Sequence, residues 1–262
     1  MTVLENETID LATPSGPMRT YVFRPAAPGR YPGLLLFSEI FQVTGPIRRT
    51  AAMLAGHGFL VAVPEIFHEL ETPGCVLPYD SAGADKGNSD KIAKELHSYD
   101  SDARIVLDFL KSSPHCTGKL GAVGICIGGH LSFRAAMNSD VLATVCFYAT
   151  DIHKRSLALG KNDNSLDRAG EIKGEMLMIW GRQDPHVPAE GRLLIYKTMT
   201  DTGLNFTWHE FNAQHAFMRD EGNRYDPALS HICYTLAVEL FKRRLTGGDL
   251  AMEVSRAAET KH

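Results

Sequence analysis

The segment from Lys119 to Gly129 reads KLGAVGICIGG and decides the fold. Its apolar first half predicts a buried strand over 119–123, and the residues after it predict a helix over 127–137. Between them, Gly124-Ile125-Cys126-Ile127-Gly128 has the G-x-C-x-G pattern of a sharp strand-to-helix turn that exposes its central side chain. The N–H groups that begin such a helix can stabilise a thiolate and bind an oxyanion. Cys126 is therefore the candidate nucleophile, and the alternative is a structural cysteine at a glycine-rich turn.

Strands and helices alternate on both sides of this turn. Strands are predicted over 7–12, 19–24, 33–37, 59–63, 141–148, 175–180 and 205–211, and helices over 46–57, 98–111, 189–200 and 227–245. The first two strands form a hairpin around Pro14-Ser15-Gly16-Pro17, and 65–88, which holds several prolines and glycines, is predicted to be an irregular loop. This order predicts an α/β fold with a mostly parallel central sheet and helices on both faces. We expect one domain over 1–262, with a polar, frayed tail from about residue 246.

The composition is that of an ordinary globular protein and narrows the classes of partner. Of the 262 residues, 44% are hydrophobic and 22% are charged, and the net charge of −4 provides no basic face for nucleic acid. No run reaches the roughly 18 apolar residues of a membrane helix, and the N-terminus lacks the apolar core of a secretory signal. The five cysteines are odd in number and form no C-x-x-C pair, so neither a disulfide scaffold nor a metal site is expected. We expect a cytoplasmic protein with free thiols.

Two polar residues follow later strands. Asp184 lies in a Gly-x-x-Asp-Pro turn after the strand over 175–180, and His215 lies in a polar loop after the strand over 205–211. Alone, Asp-Pro is also a common turn, and His215 is one of eleven histidines. Together with Cys126, however, they give the order nucleophile, acid, base, each after a strand, which is that of the α/β-hydrolase fold. The sequence thus predicts that Cys126 attacks an acyl carbon, His215 transfers the proton and Asp184 orients the imidazole.

The tetrahedral intermediate of such a reaction needs hydrogen-bond donors for its oxyanion. We expect one donor to be the backbone N–H of Ile127, directly after the nucleophile. The second is expected to be the backbone N–H of Ile40, in the loop after the strand over 33–37.

The chain resembles the dienelactone hydrolase family, the carboxymethylenebutenolidases, over about residues 8–245. The resemblance is carried by Ser38-Glu39-Ile40-Phe41, Gly124-Ile125-Cys126-Ile127-Gly128-Gly129, Gly181-Arg182-Gln183-Asp184 and His215-Ala216-Phe217-Met218-Arg219. It implies that Glu39 holds the resting thiol, that Arg219 contacts a substrate carboxylate, and that these two side chains pair with each other until substrate arrives. It also places Phe41 and Tyr148 among the substrate-binding or gating residues. Without it, Glu39 would be interpreted as a surface glutamate and Arg219 as a residue flanking a helix.

The chain also departs from the family pattern. Family enzymes that open dienelactone carry a second arginine, four residues before a tyrosine, ahead of the helix predicted over 98–111. Here the segment 83–91 holds neither, and its cations are Lys86 and Lys91, which lack the bidentate geometry of arginine. Dienelactone itself is therefore not the expected substrate.

Three functions remain open at this point. The leading one is a cysteine-dependent hydrolase of small carboxylate-bearing esters or lactones, with no cofactor. The second is a general carboxylesterase or thioesterase on the same triad, and the third is a thiol sensor built on Cys126, which needs neither Asp184 nor His215. The expected partner is a small molecule rather than nucleic acid or membrane, and a monomer and a homodimer are both compatible with the sequence.

Overall fold

The computed structural model describes residues 1–247, and the predicted tail lies beyond Gly247, outside the described residues. Within 1–247 eight strands form one sheet: β1 (Val3–Thr13), β2 (Gly16–Pro25), β3 (Tyr31–Phe37), β4 (Leu60–Pro64), β5 (Cys116–Ile125), β6 (Val141–Phe147), β7 (Glu175–Gly181) and β8 (Phe206–Phe211). The helices are α1 (Gly45–Gly56), α2 (Ser81–Ala93), α3 (Leu96–Ser112), α4 (Ile127–Ala135), α5 (Ala189–Asp201) and α6 (Pro227–Leu245). None of these helices is long and apolar enough to cross a membrane.

The sheet is mostly parallel, as the alternating pattern predicts. Its strand order is β1-β2-β4-β3-β5-β6-β7-β8. Strands β1 and β2 form the predicted antiparallel hairpin, β2 runs antiparallel to β4, and the strands from β4 to β8 are parallel to one another. Chain order reverses at β3, because β4 lies on one side of it and β5 on the other. The loops after β3 and β5 therefore border a crevice at the carboxyl edge of the sheet, the usual ligand position in such folds.

Helices cover both faces of the sheet. On one face, α1 and α6 pack through residues such as Leu54 and Phe241. On the other, α3 and α4 contribute residues such as Val106 and Leu131 to a second core. The run 34–36 in β3 shows why the central strands are continuously apolar: Leu34 and Leu36 belong to the first core and Leu35 to the second.

One prediction of local structure is wrong, because the last third of the loop expected over 65–88 is helical. Helix α2 begins after Asp80, whose side chain accepts a hydrogen bond from the N–H of Gly83 at 2.8 Å and so caps the helix. A Cβ at Gly83 or Gly87 would collide with the carbonyl oxygen of Pro78 or Ile40. The two glycines that suggested a loop therefore permit close packing of this helix, which lacks an apolar stripe to reveal it in the sequence.

Candidate active site

The turn between β5 and α4 holds Cys126 in a backbone conformation that side chains rarely adopt. Its φ is 61° and its ψ is −121°, and such a conformation costs on the order of 1–3 kcal/mol. The neighbouring glycines permit the turn: a Cβ at Gly124 would collide with the carbonyl oxygen of Gly128, and one at Gly128 with those of Phe37 and Ser38. The predicted G-x-C-x-G pattern thus lets the turn pack closely against the end of β3.

Asp184 and His215 form a close, buried pair. His215 Nδ1 lies 2.6 Å from Asp184 Oδ2, and the other carboxylate oxygen accepts the backbone N–H of His186 at 2.8 Å. Burial acts to raise the pKa of Asp184, but the hydrogen bond and the charge of His215 outweigh it, so the pKa is lowered. The carboxylate stays ionised and holds His215 Nδ1, which leaves Nε2 for the nucleophile.

The pKa of His215 indicates which protonation state the site favours. Burial acts to lower this pKa, but the charge of an ionised Cys126, the hydrogen bond to Asp184 and a hydrogen bond to Cys126 raise it to about 10. The imidazole is therefore cationic when it faces a thiolate. A thiolate held by an imidazolium is the reactive form of a cysteine nucleophile.

The two predicted oxyanion donors are backbone N–H groups that have no acceptor among residues 1–247. Ile127 is the first residue of α4, so its N–H has no acceptor within the helix. The N–H of Ile40, in the loop after β3, has no hydrogen-bond acceptor among residues 1–247, and Ile40 lines the same cavity as Cys126. Unpaired N–H groups beside a nucleophile are what a developing oxyanion requires.

Cys126 opens into a cavity of about 430 Å³ at the carboxyl edge of the sheet, a volume that suits a small molecule. Charged groups of both signs line it, together with a few apolar ones. The lining residues are Glu39, Ile40, Phe41, Tyr79, Asp80, Ser81, Ala84, Asn88, Lys91, Cys126, Thr150, Asp151, Lys154, His186, His215, Arg219 and Arg224. The cavity therefore brings together four of the predicted binding residues and donors with Cys126 and His215.

Glu39 lies in the cavity wall with only 2% of its surface exposed. Its Oε2 accepts a hydrogen bond from the Tyr79 hydroxyl at 3.0 Å, and that hydroxyl lies 2.7 Å from Thr44 Oγ1. Burial raises the pKa of Glu39, against the lowering effects of the charge of Arg219 and the Tyr79 hydrogen bond. Glu39 is thus a buried carboxyl group with a raised pKa that lines the same cavity as Cys126.

Arg219 is held by aromatic rings rather than by Glu39, which corrects the predicted resting pair. Its guanidinium carbon lies 4.1 Å from the centre of the Tyr79 ring and 5.7 Å from that of Phe41, and Nε donates to the carbonyl oxygen of Glu221 at 3.1 Å. Among residues 1–247 no ion pair joins Arg219 to Glu39. Tyr79 contacts both side chains, since its hydroxyl donates to the Glu39 carboxyl group and its ring lies against the Arg219 guanidinium. The guanidinium N–H groups beyond Nε remain available to a ligand.

Comparison with known proteins agrees with this arrangement. The sequence pattern of the dienelactone hydrolase family matches residues 18–245. The chain belongs to this family. It is therefore a hydrolase that acts on ester or lactone bonds.

Individual relatives cover most of the chain. A Saccharomyces cerevisiae protein provisionally named a carboxymethylenebutenolidase is 45% identical over 239 residues, 87% of either chain. The carboxymethylenebutenolidase of Pseudomonas putida is 28% identical over 196 residues, which cover 74% of this chain and 78% of that one. A solved structure from Klebsiella pneumoniae, provisionally titled a dienelactone hydrolase, superposes with a TM-score of 0.81 at 20% identity and covers 93% of this chain and all of that one. The last comparison supports the α/β-hydrolase fold.

The tyrosine of the family pattern is present, but it lies upstream of the segment 83–91. Tyr79 lines the cavity, but the residue four positions before it is Cys75 rather than arginine. Of the two lysines considered as substitutes, Lys91 lines the cavity with its charge paired to Asp151 at 2.9 Å. Lys86 instead binds acidic residues outside the cavity. The cationic site thus differs from the one that the resemblance implies.

Tyr148 does not contact the cavity, in contrast to the substrate-binding or gating position predicted for it. Its side chain is fully buried, and its ring packs edge-on against His215, with centroids 5.1 Å apart, and against Phe217 at 5.4 Å. The backbone turns inward at this point, where the Tyr148 N–H donates to the carbonyl oxygen of Ile179 at 2.7 Å. Tyr148 therefore supports the imidazole from behind.

Several cavity residues were not among the predicted site residues, and those with the most chemical potential are Tyr79, Lys154, His186 and Arg224. Tyr79 lies in the segment expected to be irregular, and Lys154 lies in a long loop without a motif. His186 and Arg224 had only a positional signal, since they share loops with Asp184 and Arg219. No pattern of residue types distinguished them from surface residues.

Proposed function

We propose that this chain hydrolyses small esters or lactones that carry a carboxylate, with Cys126 as nucleophile, His215 as acid and base, and Asp184 as the group that orients His215. The observation that carries the proposal is the 2.6 Å contact between Asp184 and His215, beside a thiol that opens into a cavity with Arg219 in its wall. The proposal combines the reaction type of the family with the charge of this cavity.

The reaction proceeds in two steps. The thiolate attacks the acyl carbon, and the carbonyl oxygen becomes an oxyanion that accepts hydrogen bonds from the N–H groups of Ile127 and Ile40. Collapse of this intermediate breaks the bond to the leaving oxygen, which takes the proton from His215 and leaves a thioester on Cys126. Water then gives a proton to His215 and attacks the thioester, so that the carboxylic acid departs and the thiol and imidazole are restored.

Glu39 has a place in this scheme as a proton carrier. It lines the same cavity as the thiol, and burial raises its pKa, which makes its carboxylate a stronger base. A substrate carboxylate bound to Arg219 alters the charge around Glu39 and Tyr79, the two side chains nearest to that guanidinium. Glu39 in its ionised form then relays the proton of the Cys126 thiol to His215, so that binding of the correct ligand increases the fraction of the thiolate–imidazolium pair.

The substrate preference follows from Arg219. A charge-assisted hydrogen bond to a carboxylate contributes about 1.5–3 kcal/mol, which is roughly a 10- to 150-fold effect on kcat/KM. The aromatic contacts hold the guanidinium in one position, so a ligand does not have to order this side chain. An ester that ends in a carboxylate is therefore preferred over a neutral ester of the same length.

A panel of lactones and small esters, assayed with the wild-type protein and Cys126→Ala, tests the reaction. We expect Cys126→Ala to abolish hydrolysis while the circular dichroism spectrum is retained. Arg219→Gln should weaken hydrolysis of an anionic ester by the factor above and leave a neutral ester nearly unchanged. Equal losses on both esters would favour the general carboxylesterase, and full activity of Cys126→Ala would refute the nucleophile and return the protein to the class of thiol sensors.

We further propose that the protein works in a reducing compartment such as the cytoplasm. All five cysteines are free in the structure, and the proposed reaction requires Cys126 as a thiolate. Activity lost on mild oxidation and regained with dithiothreitol would support this proposal, whereas activity that survives oxidation would contradict it.

A further inference from the structure

The loop between β8 and α6 separates its acidic side chains from its basic ones. Asp220 and Glu221 turn away from the cavity and pair with Arg49 of α1, at 2.5 Å and 2.8 Å. Arg219 and Arg224 of the same loop line the cavity instead. The N–H of Asp226 donates to the carbonyl oxygen of Phe217 at 2.8 Å and so closes the loop. This closure keeps the acidic and the basic side chains on different sides of the loop. The loop therefore presents two guanidinium groups, and no carboxylate, to the ligand.

The charges of the cavity do not balance without a ligand. Four basic side chains line it against three carboxyl groups, and each carboxyl group already has a partner: Asp151 pairs with Lys91, Asp80 caps α2, and Glu39 accepts the Tyr79 hydroxyl. Arg219 contacts aromatic rings, while Arg224 makes no hydrogen bond or ion pair with any residue of 1–247. Lys154 likewise has no such partner, although it is exposed to solvent whereas Arg224 is partly buried.

A ligand with a single carboxylate does not balance the positive charge of the cavity. Arg219 has a fixed position, because its Nε donates to a backbone carbonyl and its guanidinium carbon lies 4.1 Å from the centre of the Tyr79 ring. A carboxylate on Arg219 leaves the partly buried guanidinium of Arg224 without an anionic partner. A second anionic group on the same molecule would pair with the Arg224 guanidinium and so gain a further charge-assisted hydrogen bond.

We propose that Arg224 forms a second anion-binding subsite, so that the preferred substrates are esters or lactones with two carboxylates, one on Arg219 and one on Arg224. The inference rests on the proposed hydrolase function and names the substrate class more narrowly. Arg224 thus supplies, from the loop after β8, a guanidinium that the segment before Tyr79 lacks.

Three para-nitrophenyl esters of matched chain length test this inference. The pentanoate is neutral, the glutarate has one free carboxylate, and the tricarballylate has a second carboxylate on the same five-carbon chain. Because contacts between charges weaken with salt, all assays are run at one ionic strength. We expect wild-type kcat/KM to rise by about 10-fold or more at each added carboxylate.

Variants then assign the second carboxylate to one residue. Arg224→Gln should lower kcat/KM about 10- to 100-fold for the tricarballylate ester and leave the glutarate ester nearly unchanged, and Arg224→Lys should recover part of the loss. Arg155→Gln is the matched control, since it removes a surface cation that pairs with Asp167 outside the cavity. Equal losses of Arg224→Gln on both anionic esters, or a selective loss in Lys154→Gln instead, would overturn the inference.

The outcome also separates this inference from the proposed function. If the glutarate ester depends on Arg219 and the tricarballylate ester is no better, only the second subsite fails. If neither anionic ester exceeds the pentanoate and Arg219→Gln lowers all three equally, the carboxylate-bearing substrate class itself fails.

Discussion

Asp184→Asn is the sharpest test of how the triad works, because it changes charge and proton position with little change of shape. The carboxylate makes two hydrogen bonds, from the N–H of His186 to Oδ1 and with His215 Nδ1 at Oδ2. In the variant the amide oxygen must remain on the backbone N–H, since an amide nitrogen there would place two donors together. The amide nitrogen therefore faces Nδ1, which must then act as an acceptor, so the proton moves to Nε2. The base can no longer take a proton from Cys126.

The expected loss has two parts. Removing the charge-assisted hydrogen bond costs about 1.5–3 kcal/mol, or roughly 10- to 150-fold. The wrong tautomer adds to this, and the same change in a serine triad lowers kcat about 10⁴-fold. We expect kcat/KM of Asp184→Asn to fall on the order of 10³- to 10⁴-fold, and alkylation of Cys126 by iodoacetamide to slow as the thiolate loses its imidazolium partner.

The measurement compares steady-state rates on the glutarate ester with the rate of alkylation for wild type, Asp184→Asn and Asp140→Asn. Asp140 is a matched control, because it pairs with Arg104 just before β6, at the opposite edge of the sheet from the cavity. A loss below tenfold in Asp184→Asn, or an equal loss in Asp140→Asn, would refute the assignment of Asp184.

Three further predictions concern the same site. The pKa of His215 is raised to about 10 in the folded chain, so its proton contributes stability that is fully present below about pH 6.5 and is lost as the pH rises through 10. Because Cys126→Ala removes the thiol group, this loss of stability should move to lower pH when thermal unfolding is measured across pH. An unchanged pH profile would contradict the ion pair. Glu39→Gln keeps an acceptor for Tyr79 and should unfold like wild type yet lose about 10²-fold in kcat/KM, so full activity would exclude proton transfer by this group. Gly128→Ala places a Cβ against backbone carbonyls of β3 and should destabilise the fold by about 1–3 kcal/mol in urea unfolding, whereas an unchanged midpoint would mean that the turn can relax.

The features that could be predicted from the sequence are those that depend on neighbours in the chain. Apolar runs such as 33–37 identify strands buried on both faces, because every second side chain meets a different core. The glycines around Cys126 indicate the turn, because only a residue without a side chain fits against β3. The order of Cys126, Asp184 and His215 followed from one rule, since the carboxyl ends of parallel strands meet at one edge of the sheet.

Tertiary structure alone decided the environment of each charge in the cavity. Tyr79 contacts Glu39 from 40 positions away and Arg219 from a different loop, and no local pattern predicts such contacts. The same reason explains why Arg224 was missed, since its role depends on where the acidic neighbours of its loop turn. The sequence therefore determined the fold and the order of the three proposed triad residues, because these follow from local periodicity and chain direction. The preference for one ligand over another depends on which charges remain unpaired after folding, and only the packed structure determines that.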